Sequence, residues 1–440
     1  MTDAGLTTEQ VDEIFVEQVR LSVQTARSLR EQGGLPTQEV PVLERRGGGL
    51  VAGLPESEPD WRLFMPMLTR THGFWDRIKA VGEELRGSKE MEERFGWASP
   101  DSDQRWVALW GTIAPLVQVY MLRRSNWEWD EDEARAVLAL WRQSMSPNEV
   151  ELQLIAPLHN LSQWGMSAVV DEDLAIRDFT DEERQDLWRT FGGPQHQSQI
   201  APTFDQIEQW ASVVDLRLKR PAWPPLTGEQ LTEVGDRIER LVCAQRLRHP
   251  GTVGVTIVWV RPVPPEMGVF ARHLSMLFAR DRSASFEPSL PLSQVGPSDG
   301  QPLAALLEKI TVTNDKRLSL ALRRFNSSYA RQDPADVLID LWVAIEALLL
   351  PDGNAELSYR AALRLARAAG TDEHTRRSAF DQAKASYRVR SKLVHGDDVS
   401  DEKVKATVAE TRNLLRDALR TWLLNPPLGG VQELDHQLLA

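Results

Sequence analysis

Between Asp315 and Pro427 the chain is punctuated by helix starts and stops at short intervals, and this limits its fold more than any other feature. Asp315 opens an amphipathic run to Tyr329 with Leu318, Leu322 and Phe325 on one face. Asp333-Pro334 opens a second run. The aspartate can accept hydrogen bonds from free first-turn amides, proline has no amide to lose there, and Asp336 adds negative charge where the helix field favours it. That run carries Leu338, Leu341, Trp342, Ile345, Leu348 and Leu349, then stops at Pro351-Asp352-Gly353. A third, over residues 356–369, closes at Gly370, and a fourth, from about 375 to 394, closes at Gly396. The fifth starts at Ser400 and ends near Leu424, before Asn425-Pro426-Pro427. Helices joined this closely bury their apolar faces against one another, which predicts an antiparallel bundle over residues 301–427 with a lead-in helix near 303–310.

The end of the fourth helix concentrates chemistry. Residues 387–398 read Tyr-Arg-Val-Arg-Ser-Lys-Leu-Val-His-Gly-Asp-Asp. Arginine presents a rigid donor fork to phosphate, and histidine moves protons near neutrality. Arg390 and His395 are five positions apart, so an uninterrupted helix would point them about 140° apart. If both face one site, the helix must end or distort between them, which Gly396 allows. Arg388 and Lys392 are solvated helix charges or phosphate contacts.

The string Tyr387…Arg390-Ser391…Val394-His395-Gly396 resembles the signature of HEPN domains, small helical bundles found in many prokaryotic ribonucleases. Tyr329…Asp333…Leu341…Ile345-Glu346-Ala347-Leu348, followed by Tyr359-Arg360-Ala361-Ala362-Leu363-Arg364-Leu365-Ala366, looks like the Apea-like branch. The resemblance covers about residues 310–425. It implies dimers whose motifs face each other, with Arg390 and His395 catalytic and Glu346 ordering Arg390. The sequence alone leaves Glu346 as that partner or as an exposed helical glutamate. Tyr387 and Tyr329 read as packing residues with polar hydroxyls. Many active members carry asparagine, aspartate or histidine after the arginine. Here Ser391 stands there, and serine does not carry protons near neutrality.

The net charge of −13 would argue against a nucleic-acid partner if it were uniform. It is not: residues 301–430 hold 20 basic and 17 acidic side chains, and residues 1–300 hold 31 and 45. Cys243 is the single cysteine, so neither an internal disulfide nor a cysteine-based zinc site can form, and no metal or cofactor is expected. The first ten residues lack the pattern of a signal peptide, and no apolar run is long enough to span a bilayer. The expectation is a cytoplasmic protein with no membrane partner.

Upstream, Thr7-Thr8-Glu9-Gln10 reads as a capped helix start, and residues 34–60 as a loop with one short strand near 39–43. Helices are expected over 61–92, 104–124, 130–145 and 149–164, making residues 1–164 a helical domain whose tryptophans are core. Gly87-Ser88 with Asp101-Ser102-Asp103 mimics a nucleotidyltransferase pattern, but the glycine follows a charged helix and the acids sit in a loop, so it is set aside. Residues 165–300 read as a mixed α/β domain with a sheet of four or more strands, a sensor or regulator. Its strands are expected at 211–218 and 253–261, and its helices at 180–188 and 227–248. His196, His249 and His273 stand apart as surface or structural residues. Residues 285–300 look like a joint, and 428–440 like a tail.

A mainly α protein is expected, with a metal-independent endoribonuclease at its C-terminus. Its partners would be RNA, a second copy of itself and a viral trigger sensed by residues 1–300, in antiviral defence or toxin-like growth arrest. Two alternatives stand beside it: a catalytically inactive dimerisation or RNA-binding scaffold, and a regulatory protein that binds other proteins.

Overall fold

A computed structural model of the chain describes residues 6–434 apart from 35, 41, 47–48, 54–55, 60, 86–87, 89–103, 125, 146–147, 163–166, 192–201, 280–292, 351–356, 428–429 and 432–433. Most of the nucleotidyltransferase-like pattern, His196, the first half of the joint at 285–300 and most of the 428–440 tail lie outside the described residues. The protein is mainly helical, with N- and C-terminal helical stretches flanking a mixed α/β region. No helix among the described residues is long and apolar enough to cross a membrane.

The N-terminal stretch packs helices Thr8–Glu31, Phe74–Glu84, Gln104–Arg123 and Glu131–Gln143 around Phe15, Phe74, Ile113 and Trp141. Thr7 caps the first helix in a reciprocal box with Gln10, as its sequence predicts. The expected 61–92 helix is broken, ending at Leu68 and restarting at Phe74 behind a left-handed Gly73. Residues 37–59, expected to hold one strand, hold four: Thr37–Val40 pairs with Glu56–Pro59, and Leu43–Arg46 with Gly49–Ala52.

The expected helix over 149–164 does not form. Glu149–His159 is instead a strand inside the antiparallel sheet, with Ser212–Pro221 on one side and Ile257–Val263 on the other. Val150, Leu152, Leu154, Ala156 and Leu158 face one core, and they alternate with Glu151, Gln153, Ile155, Pro157 and His159, of which Ile155 joins the core on the other face. The sheet thus begins at Glu149. It extends through Leu174–Asp178 and Ala168–Val169 at one edge and Met276–Ala279 at the other.

The first core does not stop at the sheet. It runs continuously from Val150 and Val214 through Leu241 and Leu247 to Leu341, Leu415 and Leu434. The helix Gly228–Arg248 lies at this seam, and its last two turns, Leu241 to Leu247, are buried on every side. A helix covered all round must be sandwiched, here between the sheet and the helices Gly300–Val312, Lys316–Ser327 and Asp401–Leu424. Gly300 marks the closest approach: a Cβ there would collide with the backbone carbonyl of Val169. Asp299, just before it, ties the segment to the seam helix through Arg248 at 3.1 Å and His249 at 3.0 Å.

The second face of the sheet is covered by helices Asp181–Phe191 and Phe204–Gln209. It carries a buried charge network. Arg177 grips both oxygens of Glu183 at 2.8 and 2.7 Å and reaches Asp215 at 2.7 Å. Gln153 donates to both Asp215 oxygens at 3.0 Å, and Arg261 bonds Glu183 at 2.8 Å. Burial opposes ionisation of Glu183 and Asp215, yet the hydrogen bonds and charge of Arg177 prevail and hold both below the usual carboxylate range.

His159, at the end of the central strand, bonds Thr256 Oγ1 through Nε2 at 2.8 Å, and Trp210 aims its indole N–H at the ring, 3.2 Å from Nδ1. The indole nitrogen is equally 3.2 Å from Nε2, and the two rings stand at 88°, so Trp210 meets the imidazole ring edge-on. Burial pushes the His159 pKa down to about 4 from 6.5. The unfolded chain then binds this proton more readily, so the stability held above pH 6.5 is lost as pH falls towards 4, by up to ~3 kcal/mol. Urea unfolding across that range should show this slope, and His159→Gln should flatten it. An equal slope in the variant would assign it to other groups.

Candidate functional site

Two helices build the motif. Glu373–His395, the motif helix, starts at Asp372, whose side chain caps Thr375 N, and buries Ala379, Ala383, Ser386 and Val389 on one face. The helix Pro334–Leu349 lies against it, with Asp333 as its cap and Pro334 in its first turn. Each contributes a pair of residues four apart, which share a face. Trp342 and Glu346 on one helix meet Ser386 and Arg390 on the other.

Trp342 is fully buried and donates its indole N–H to Ser386 Oγ at 2.9 Å. Ser386 Oγ in turn lies 2.5 Å from Thr411 Oγ1, on the last helix. Tyr387 packs edge-on to Trp342 with ring centres 5.0 Å apart, and the Arg390 guanidinium lies 5.7 Å from the centre of the Tyr387 ring. Arg390 Nη2 stands 3.5 Å from Glu346 Oε1, an ion pair with both side chains partly exposed. Arg390 Nε is buried and finds no hydrogen-bond partner among the described residues. The guanidinium is thus held from two sides while part of its donor fork stays unused.

The helix neither ends nor distorts between Arg390 and His395, the condition for both to face one site. The motif helix continues to His395, and Gly396 closes it with φ of 81°, a left-handed conformation that glycine adopts without Cβ strain. The Asp397 amide donates to Lys392 O at 2.9 Å, satisfying a carbonyl of the last turn. With the helix unbroken, Arg390 and His395 point about 140° apart. The structure brings Arg390 together with Glu346 and Tyr387, and sets His395 apart, exposed in the last turn.

His395 has other company. Arg388, Lys392 and His395 follow the spacing i, i+4, i+7, which spans about 60° of helix surface, and all three are exposed. Neither Arg388 nor Lys392 forms an ion pair among the described residues. Val394, beside them, is 51% exposed. Ser391 is half-buried and makes no hydrogen bond among the described residues. The motif helix therefore shows a basic, histidine-bearing outer face and an inward arginine.

Tyr329 is buried between two guanidiniums, those of Arg246 at 4.4 Å and Arg412 at 4.5 Å from its ring centre. It packs the C-terminal helices onto the seam helix and is remote from Arg390 in its contacts. Sequence reasoning missed Ser386 and Thr411. The available signal was Trp342 itself, since an indole in an apolar helix needs an acceptor. Among the described residues no group of three or more His, Cys, Asp or Glu side chains is arranged to hold a metal ion. Compared with known proteins, the chain matches no family model, no curated protein and no solved structure.

Proposed function

We propose that the C-terminal helices form an antiparallel, Apea-like HEPN bundle and that the protein is an endoribonuclease whose site is completed by a second copy of the chain. One observation carries this reading: Arg390 is oriented by Glu346 and Tyr387, while His395 lies on the opposite, exposed side of the same unbroken helix. A single chain cannot bring the two to one phosphate. Two motif helices facing each other can, with Arg388 and Lys392 lying along the RNA backbone.

In this reading the ribose 2′-hydroxyl attacks the adjacent phosphorus and the 5′-oxygen leaves. His395 either takes the 2′-hydroxyl proton or gives a proton to the leaving oxygen, and Arg390 stabilises the charge that builds on the phosphoryl oxygens. The products are a 2′,3′-cyclic phosphate and a 5′-hydroxyl. DNA, which lacks the nucleophile, is spared. Residues 1–300 would restrain the bundle until a viral trigger engages them, and the continuous core across the seam helix gives such a trigger a physical connection to the bundle.

Light scattering over a concentration series should return a dimer or a larger even-numbered oligomer. A monomer at every concentration that still cuts RNA would remove the composite site.

A further inference from the structure

A cleft of about 500 Å³ opens where the seam helix meets the helices Gly300–Val312 and Lys316–Ser327. That volume suits a small molecule. Three arginines, Arg240, Arg246 and Arg323, line it beside two acids, Asp236 and Glu239. Arg246 is 6% exposed, and its hydrogen-bond partners among the described residues are neutral: it donates from Nε to Val253 O at 2.8 Å and from Nη1 to Asn326 O at 3.1 Å. It also bonds the Asn326 side chain. No carboxylate forms an ion pair with it among the described residues, although the charge of Glu239 favours its ionised form. Burial pushes its pKa down to about 10, with the neighbouring Arg412 acting in the same direction. Arg240 and Arg323 line the same cleft, and neither forms an ion pair among the described residues. Buried cations are ordinarily paired, because taking a charge out of water is costly. Here Arg246 alone is buried and lacks an ion pair among the described residues, while Arg240 is half-buried and Arg323 exposed, both open to an occupant of the cleft. Asp236 and Glu239 also line it, so an occupant that carries hydrogen-bond donors as well as negative charge fits better than a bare anion.

We propose that this cleft binds a small phosphate-bearing molecule of mononucleotide size. Arg240 and Arg323 hold its phosphate, Arg246 supplies buried positive charge, and Asp236 and Glu239 meet its donor groups. Guanidinium forks match phosphate oxygens two at a time, which makes arginine the side chain for this task. The site is separate from the motif helix, and the proposal does not depend on the RNA chemistry above.

The test is calorimetric titration of the full chain with adenosine 5′-monophosphate, uridine 5′-monophosphate, inorganic phosphate and adenosine. At least one monophosphate is expected to bind at or below millimolar concentration, more tightly than phosphate alone, with adenosine inert. Arg240→Ala and Arg323→Ala should each weaken binding about tenfold or more, the scale of one lost charge-assisted hydrogen bond. Arg390→Ala should leave it unchanged. The proposal is overturned if no monophosphate binds at millimolar concentration. Unaltered binding in both cleft variants would also overturn it, as would loss of binding in Arg390→Ala, which would move the phosphate to the motif helix. Phosphate binding as tightly as either monophosphate would reduce the site to one for the free anion and overturn the assignment of the donor-bearing ligand.

Discussion

Arg390→Ala and His395→Ala should each lower RNA cleavage by about 10²-fold or more, the usual effect of losing a transition-state charge clamp or a proton-transfer group. Neither should unfold the protein. His395 is exposed in the last helical turn, and Arg390 makes one long ion pair at 3.5 Å, partly open to solvent. Glu346→Gln should act in the same direction but more weakly, because it keeps a side chain beside Arg390 while removing the charge that orients it. Arg388→Ala supplies the control: it sits on the exposed basic face, so it should weaken RNA affinity modestly and leave the chemistry intact. Circular dichroism with initial cleavage rates would separate folding from chemistry. Full rates in both Arg390→Ala and His395→Ala would remove the motif helix from the mechanism.

A second large effect belongs to the sheet. Arg177→Ala should destabilise the protein by about 2–4 kcal/mol, because it removes the guanidinium that grips both Glu183 and Asp215 and leaves them only Arg261 and Arg217 as charged partners. The loss should shrink as pH falls. Both groups are held below the ordinary carboxylate range by Arg177, so their pairing stabilises the fold above that range and is lost as they protonate in acid. Denaturant unfolding of wild type and variant at neutral and acidic pH measures both statements. A cost under about 1 kcal/mol at neutral pH would mean that Arg261 and Arg217 compensate for the missing guanidinium.

The helices were legible in the sequence where their ends are chemically local. Thr7, Asp130, Thr227, Asp315, Asp333 and Ser400 each cap a first turn through their own side chains, and such signals survive any tertiary context. Glu149–His159 carried a legible signal that the helical expectation passed over: Val150, Leu152 and Leu154 alternate with Glu149, Glu151 and Gln153, the period of a strand. The apolar Ile155 and Pro157 blur that alternation only in its second half. The four short strands in residues 37–59 were masked by their own glycines and prolines, which announce turns more loudly than the pairs between them.

At the candidate site, the sequence marked Arg390, Glu346 and His395 but misjudged how they stand. Gly396 was read correctly as a stop, yet a stop one residue after His395 leaves the helix whole and the two motif residues on different sides. The bonds that hold Trp342 were also out of reach, since Ser386 and Thr411 come from two other helices, 44 and 25 positions apart along the chain. The seam helix gave no warning that it would join two expected domains into one core, because burial on all sides becomes visible only once both neighbours are in place.

The central claim is metal-independent cleavage of RNA by its own 2′-hydroxyl, and analysis of product ends tests it most directly. Purified protein, with excess chelator, should cut RNA to leave 2′,3′-cyclic phosphate and 5′-hydroxyl ends, spare DNA of the same sequence, and lose this activity in the His395→Ala variant. Products with a 5′-phosphate and a free 3′-hydroxyl, formed only when magnesium or manganese is restored, would contradict the account. RNA that is bound but never cut, with equal toxicity in cells from wild type and His395→Ala, would contradict it as well and would leave the bundle as a scaffold.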